Sequence, residues 1–192
     1  LTSYESWYRK KKGERRYKVG ILFWRNEWIE EDTSVCDALI RAFEERKAGV
    51  VPVFTFMGLK GVAAYPGVEE YDATRFFIEG NKSYIDLLVD RQGFSLVSIP
   101  SGGWIDSSSE GARALKALNI PVVNAVTPYY KSIEEWRKDE EGIDPITVVM
   151  DVSMPEVDGV IEPIVVGATE KSEDGTLGGT YNRHEPIGEQ VE

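Results

Sequence analysis

Apolar positions in this chain fall into short continuous runs, and between the runs they recur at helical spacing. Val19–Trp24 is a continuous apolar run of strand length and predicts a buried strand. Val35, Leu39, Ile40 and Phe43 then form a helical stripe, with Asp32-Thr33-Ser34 as a candidate cap before it and Gly49 just after it. Val50–Phe56 predicts the second strand, and Pro52 assigns it to a sheet edge or a strand beginning. Residues 57–71 are rich in Gly and Pro and predict irregular structure. Phe76–Ile78 predicts a short strand, Tyr84–Val89 a helix ending before Gly93, and Phe94–Ile99 a further strand. The stretch 107–118 predicts a helix stopping at Asn119, and Ile120–Val126 the next strand. Ser132 followed by Glu135 is a capping-box pattern, and Asp144-Pro145 places a cap residue before a proline at the first helical position. The β-branched residues after Pro145 weaken the case for helix there. Val160–Val166 predicts the last strand.

Strands alternating with helices predict an α/β domain in three layers, a mostly parallel sheet with helices on both faces, of flavodoxin-like or Rossmann-like type. The predicted division is an N-terminal helix and linker over residues 1–17, the α/β domain over 18–170, and over 171–192 a loop followed by the start of a truncated C-terminal helix. The basic and aromatic stretch Tyr4–Arg16 is expected to be a solvated helix and linker. The first residue is not Met and the chain stops abruptly, as expected of a piece cut from a longer protein.

Charge narrows the partners. Acidic residues outnumber basic ones by 33 to 22 over 192 residues, a formal net charge of −11, which disfavours nucleic acid and anionic membrane surfaces. It leaves open a cationic ligand, a metal ion or a basic protein partner. The single cysteine, Cys36, excludes an intramolecular disulfide framework, and no apolar run reaches the roughly 20 residues of a membrane span, so a cytoplasmic protein is expected.

Open parallel sheets bind ligands beyond the carboxyl ends of their strands. Here those ends carry Trp24–Trp28, Pro100–Asp106 and Thr127–Tyr130, each mixing aromatic with small or polar residues. Such loops can cover a flat conjugated ring, or they can pack on neighbouring loops or another domain. No P-loop pattern is present and no Gly-x-Gly-x-x-Gly follows the first strand, so no nucleotide is expected in this chain, although a flavin stays open. Cys36 falls within a helical apolar stripe and is expected in the core, Ser101 has no nucleophile elbow, and His184, the one histidine, is expected on the surface. The stretch Met154–Gly167 concentrates the remaining chemistry. Glu156, Asp158 and Glu162 surround an apolar run broken by Pro155, Gly159 and Pro163. Carboxylates of this kind suit hard divalent cations and can accept protons. In an extended chain Glu156 and Asp158 share one side, whereas the bland alternative is a turn before an edge strand.

The run Pro155-Glu-Val-Asp-Gly159 followed by Glu162-Pro-Ile-Val165 resembles a paired motif of the large subunits of the tetrapyrrole metal chelatases, the cobalt- and magnesium-inserting enzymes. Val19–Phe23, Gly93–Val97, Glu134–Trp136 and Gly142–Ile146 resemble further family segments in the same order, so the resemblance covers nearly the whole chain. It implies a domain of a tetrapyrrole-binding subunit that inserts cobalt or magnesium into the ring, with ATP hydrolysed by separate motor subunits. On that resemblance Glu156, Asp158 and Glu162 would guide the metal or accept pyrrole protons, and Trp24, Trp28, Trp104 and Tyr129 would line the ring. Many members carry Arg-Ser-His where this chain has Arg25-Asn26-Glu27, so Glu27 would join Glu162 as an oxygen donor to the metal. The competing expectations are a non-catalytic scaffold that docks partner subunits and a flavin-type binding domain. The piece alone is expected to be inactive.

Overall fold

The computed structural model describes residues 2–56, 58–61, 71–98, 103–173 and 179–191. Its centre is a five-stranded parallel sheet: β1 Lys18–Trp24, β2 Gly49–Thr55, β3 Leu87–Asp90, β4 Val122–Val126 and β5 Pro163–Val165, in the order β5-β4-β3-β1-β2. Written from the β2 edge this is 2-1-3-4-5, the order of doubly wound sheets of the flavodoxin type. Helix α1 (Thr2–Lys12) precedes the sheet, and α2 (Arg25–Ile29) and α3 (Ser34–Glu45) follow β1. Helix α4 (Gly103–Leu118) crosses from β3 to β4, and α5 (Ile133–Lys138) follows β4. Then α6 (Pro145–Thr147), a π-helical turn (Val148–Ser153) and α7 (Met154–Asp158) form one continuous rod. After β5 comes an antiparallel hairpin of β6 (Gly167–Glu173) and β7 (Thr180–Pro186), closed by the short helix α8 (Gly188–Val191).

Strand alternation sends β1 side chains into two cores. Val19, Ile21 and Phe23 pack with Val35, Cys36 and Leu39 of α3, while Leu22 packs with Leu88 of β3 and with Ala114 and Leu118 of α4. Helices therefore cover both faces, as the three-layer expectation required. Pro52 does lie in an edge strand, where its missing N–H costs no ladder bond. The capping box at Ser132 and the Asp144 cap are both formed. Cys36 is buried in the first core, and burial pushes its thiol up to about 12.

Five local expectations change. The predicted helix at 84–89 is instead a bend leading into central strand β3, because a strand buried on both faces is apolar throughout and mimics a helix segment. Of the predicted strand at 94–99, the described residues form strand only at Val97–Ser98, in a small side sheet with Lys60–Gly61, since Gly93 and Phe94 both turn the chain at positive φ, and Ile99 lies outside the described residues. The short strand expected at 76–78 gives way to a 3-10 turn, Ala73–Phe76, capped by Asp72, with only Ile78 passing into a two-residue strand. Lys171 and its neighbours belong to the β6–β7 hairpin, with 174–178 outside the described residues. Helix α1 is not a free solvated rod. Its Tyr4 hydroxyl donates to the Val50 carbonyl at 2.6 Å and its Tyr8 hydroxyl to Glu44 at 2.8 Å. Among the described residues no helix is long and apolar enough to cross a membrane.

Candidate functional site

In the 2-1-3-4-5 order the chain reverses direction across the sheet between β1 and β3, and the carboxyl ends of those two strands are where doubly wound sheets form their ligand crevice. Polar residues crowd this point. From β1, the chain turns directly into α2, which carries Glu27 inward. From β3 come Asp90, Arg91 and Gln92. Arg91 is buried and its Nη1 sits 2.5 Å from Glu27 Oε2, while its Nη2 reaches Thr127 Oγ1 beyond β4 at 3.4 Å. One guanidinium thus joins the ends of three strands. Gln92 does the same on the other side. Its Nε2 donates to the carbonyls of Phe23 (2.8 Å) and Thr55 (3.1 Å).

Two aspartates are held out of water beside these ties. Asp90 is fully buried and accepts the Gln92 N–H on Oδ1 at 3.0 Å. Burial, with Asp151 and Asp158 adding repulsion, outweighs the Gln92 bond and Arg91 and pushes Asp90 up to about 7. Asp151 sits in the π-helical turn. Burial and the Asp144 charge raise it to about 7 against the opposing hydrogen bond from Tyr129, whose hydroxyl donates to Asp151 Oδ1 at 2.9 Å. The Tyr129 phenol is itself raised, by burial first and by Asp151 next.

The π-helical turn explains how Asp151 is presented. In this segment the helix bonds skip to the fifth residue, as from Met154 N–H to the Val149 carbonyl. The carbonyl of Met150 accepts from Phe94 N–H at 2.8 Å, and that of Asp151 accepts from the Asn124 amide. Gly93 lets the β3 exit pass close beneath. It has φ +60°, and a Cβ there would lie 2.2 Å from Asp151 Oδ1.

An aromatic surface flanks the crevice. Trp28 is 60% exposed and stacks on Phe54 of edge strand β2, with centroids 5.9 Å apart and planes 11° apart. The Arg25 guanidinium lies 5.3 Å from the Phe56 ring centroid, and Trp24 meets Phe94 edge-on at 5.7 Å.

The residues expected from sequence do not all meet here. Trp24 and Trp28 stand at the β1 end and Tyr129 at the β4 end. Trp104 falls in α4, with its side chain outside the described residues. The three carboxylates separate. Residues 154–158 are helical rather than extended, so Glu156 and Asp158 point about 200° apart instead of sharing a side. Glu156 and Glu162 are exposed and Asp158 is buried. Asp158 Oδ2 accepts from the Ser95 hydroxyl and the Leu96 N–H, both at 2.7 Å, and abuts Gly111 of α4, where a Cβ would lie 2.5 Å from its Cγ. Burial raises its carboxyl above the usual range despite those two bonds. Asp158→Ala is expected to cost about 1–3 kcal/mol by stripping the buried Leu96 N–H of its acceptor. An unchanged urea midpoint would show that the contact is not a brace.

Glu27 and Glu162 belong to different places. Glu27 follows strand β1 and Glu162 precedes strand β5, strands three spacings apart in the sheet, about 14 Å. Glu27 is already committed to Arg91. Among the described residues no group of three or more His, Cys, Asp or Glu is placed to hold a metal ion. His184 lies in β7, half-buried, with Nδ1 2.7 Å from Asp32 Oδ2 rather than free on the surface. The sequence pattern does not single out Asp90, Arg91, Gln92 or Asp151. An Asp that closes an apolar run just before a glycine is the available signal for the first three.

Fold and crevice define the class: a doubly wound α/β domain with buried acids and an aromatic rim at its switch point. The chain belongs to the CobN/Magnesium Chelatase family, whose model matches residues 1–192. It is 33% identical over 156 residues to an uncharacterized protein of Methanocaldococcus jannaschii, covering 81% of this chain and 12% of that one. It is 32% identical over 147 residues to a magnesium-chelatase subunit of Rhodobacter capsulatus (77% and 11%), and 31% identical over 182 residues to the corresponding magnesium-chelatase protein of Chlorobaculum parvum (92% and 13%). The chain therefore spans only 11–13% of the length of these relatives. The solved catalytic subunit of cobaltochelatase from Mycobacterium tuberculosis superposes with a TM-score of 0.65 at 20% identity, covering 93% of this chain and 14% of that one, which supports the fold.

Proposed function

We propose that this chain is a domain of the large, tetrapyrrole-binding subunit of a metal chelatase, and that its switch-point crevice forms part of the wall facing the macrocycle. The observation that carries this reading is the family match over every residue of the chain. Inserting a divalent metal into the ring displaces the inner pyrrole N–H protons, so a wall needs flat apolar surface and groups that take up protons near neutrality. Trp28 stacked on Phe54 supplies the first. Asp151, raised to about 7 and joined to Tyr129, supplies the second. Glu156 and Glu162, both exposed, are the carboxylates that an incoming cation can meet, and Asp158 fixes the segment between them. Cobalt or magnesium is the metal substrate. The energy comes from ATPase motor subunits rather than from a nucleotide on this chain, and the assembly works in the cytoplasm.

A scaffold role is the second reading, favoured by the net charge of −11, which suits a basic partner subunit. Titration with a metal-free porphyrin, followed by tryptophan fluorescence, separates the two. Saturable quenching is expected, and Trp28→Ala is expected to weaken it about tenfold, the loss of roughly one aromatic stacking contact. Equal quenching in wild type and variant would move the ring elsewhere, and no quenching would leave the scaffold reading.

A further inference from the structure

Among the described residues, three buried polar atoms near the switch point have no protein partner: Asp90 Oδ2, Asn124 Oδ1 and Arg91 Nε. The first two belong together. Asp90 and Asn124 are register partners on the adjacent central strands β3 and β4, so their side chains leave the same face of the sheet about 5 Å apart. Both unpartnered atoms are acceptors. Two unpartnered acceptors on neighbouring register positions in a dry interior each forfeit a hydrogen bond, and a single proton shared between them would satisfy both.

We propose that Asp90 is a proton-holding site: in the folded protein its carboxyl group is protonated on Oδ2 and donates to Asn124 Oδ1. The consequence extends to the crevice. The Asn124 amide has two ends. With Oδ1 turned to the Asp90 O–H, its Nδ2 is turned to the Asp151 carbonyl, the bond present in the structure. An ionised Asp90 prefers a donor and attracts Nδ2 instead, which rotates the amide and releases the Asp151 carbonyl. Asp90 thus acts as a positioning residue. Its proton sets the orientation of Asn124, and Asn124 holds the π-helical turn that carries Asp151 and its Tyr129 partner.

The surroundings agree. Asp90 is fully buried, its Oδ1 is occupied by the Gln92 N–H, and its neighbour across β1 is Leu22. The charged groups acting on it are Asp151 from the π-helical turn and Asp158 from α7, which oppose ionisation, and Arg91, which favours it. Burial is the largest influence, and the balance puts the group at about 7.

Two measurements test it on the whole protein. Infrared spectra at pH 6 and pH 9 are expected to differ by the carbonyl stretch of protonated carboxyl groups, Asp90 and Asp151 each contributing, and Asp90→Asn is expected to remove the Asp90 component. The amide side chain in this variant donates to Asn124 Oδ1 as the acid does, so the fold is retained. A wild-type spectrum without the band, or a band that Asp90→Asn leaves unchanged in intensity, overturns the proposal. The second measurement needs no variant. The side-chain amide resonances of Asn124 are expected to shift with pH in the same range as the infrared band, and unmoved resonances overturn the coupling to Asn124. The sign for stability is fixed as well. The folded state keeps a proton that the unfolded chain gives up in the ordinary aspartate range, so the Asp90 contribution is present at low pH and is lost as pH rises toward about 7. Asp90→Asn removes that slope.

Discussion

Arg91→Met is expected to destabilise the protein by about 3–5 kcal/mol, because it leaves the Glu27 carboxylate buried without its counter-ion. The side chains of this pair are 2% and 7% exposed, so water screens neither. An exposed pair such as Lys138–Glu134, by contrast, is worth at most about 1 kcal/mol. The double variant Arg91→Met/Glu27→Leu should recover most of the loss, since it removes both charges together. Urea unfolding of the wild type, both single variants and the double variant gives the cycle. A single-variant cost below about 1 kcal/mol would show that Glu27 finds water when Arg91 is gone. Much of the site depends on this pair. Helix α2 has only five residues and no side-chain cap on its first turn, so Glu27 is its main anchor, and Trp28 follows from it in the chain. Loss of the anchor should therefore weaken porphyrin quenching as well as stability.

Gly93→Ala is the second large effect, expected at about 2–5 kcal/mol. Part of it, roughly 1–2 kcal/mol, is the left-handed backbone that an L side chain resists. The rest is overpacking, about 1–3 kcal/mol, as the new methyl group meets Asp151 Oδ1 at 2.2 Å and the Asp151 backbone at 3.2 Å. The two parts can be separated. Asp151→Ala on the Gly93→Ala background removes the carboxylate in the way, so the double variant should be less destabilised than the sum of the two single variants. Additivity would mean that the backbone conformation carries the whole cost.

The legible parts of the fold are those where one pattern has one meaning. The apolar runs of β1 and β4, the capping box at Ser132 and Pro52 at the sheet edge all reappear in the structure. Strand β3 does not, because Tyr84–Val89 has the density of apolar residues of a buried helix, and only the sheet decides between them. That ambiguity hides the site. With 84–89 read as a helix, Asp90, Arg91 and Gln92 become a helix end and not a strand's carboxyl end. The segment 154–162 shows the opposite error. Pro155 and Gly159 look like breakers of an extended run, whereas proline near a helix start and glycine just past its end are helix boundary signals, and Gly159 closes α7 at φ +99°. Asp151 is illegible on any local rule, since the β-branched residues around it argue for a strand and nothing in them announces a π-helical turn.

That turn has a consequence for how the segment can change in length. A π-helical turn holds one residue more than the α-helical path between the same two ends. A chain one residue shorter between Thr147 and Met154 closes into ordinary helix, with α6 and α7 still in place at either end. The carbonyls of Met150 and Asp151 then return to bonds within the helix, and Phe94 and Asn124 lose the acceptors that tie β3 and β4 to it. Deletion here is thus silent for the architecture and decisive for the crevice, the reverse of what a missing residue does in most helices.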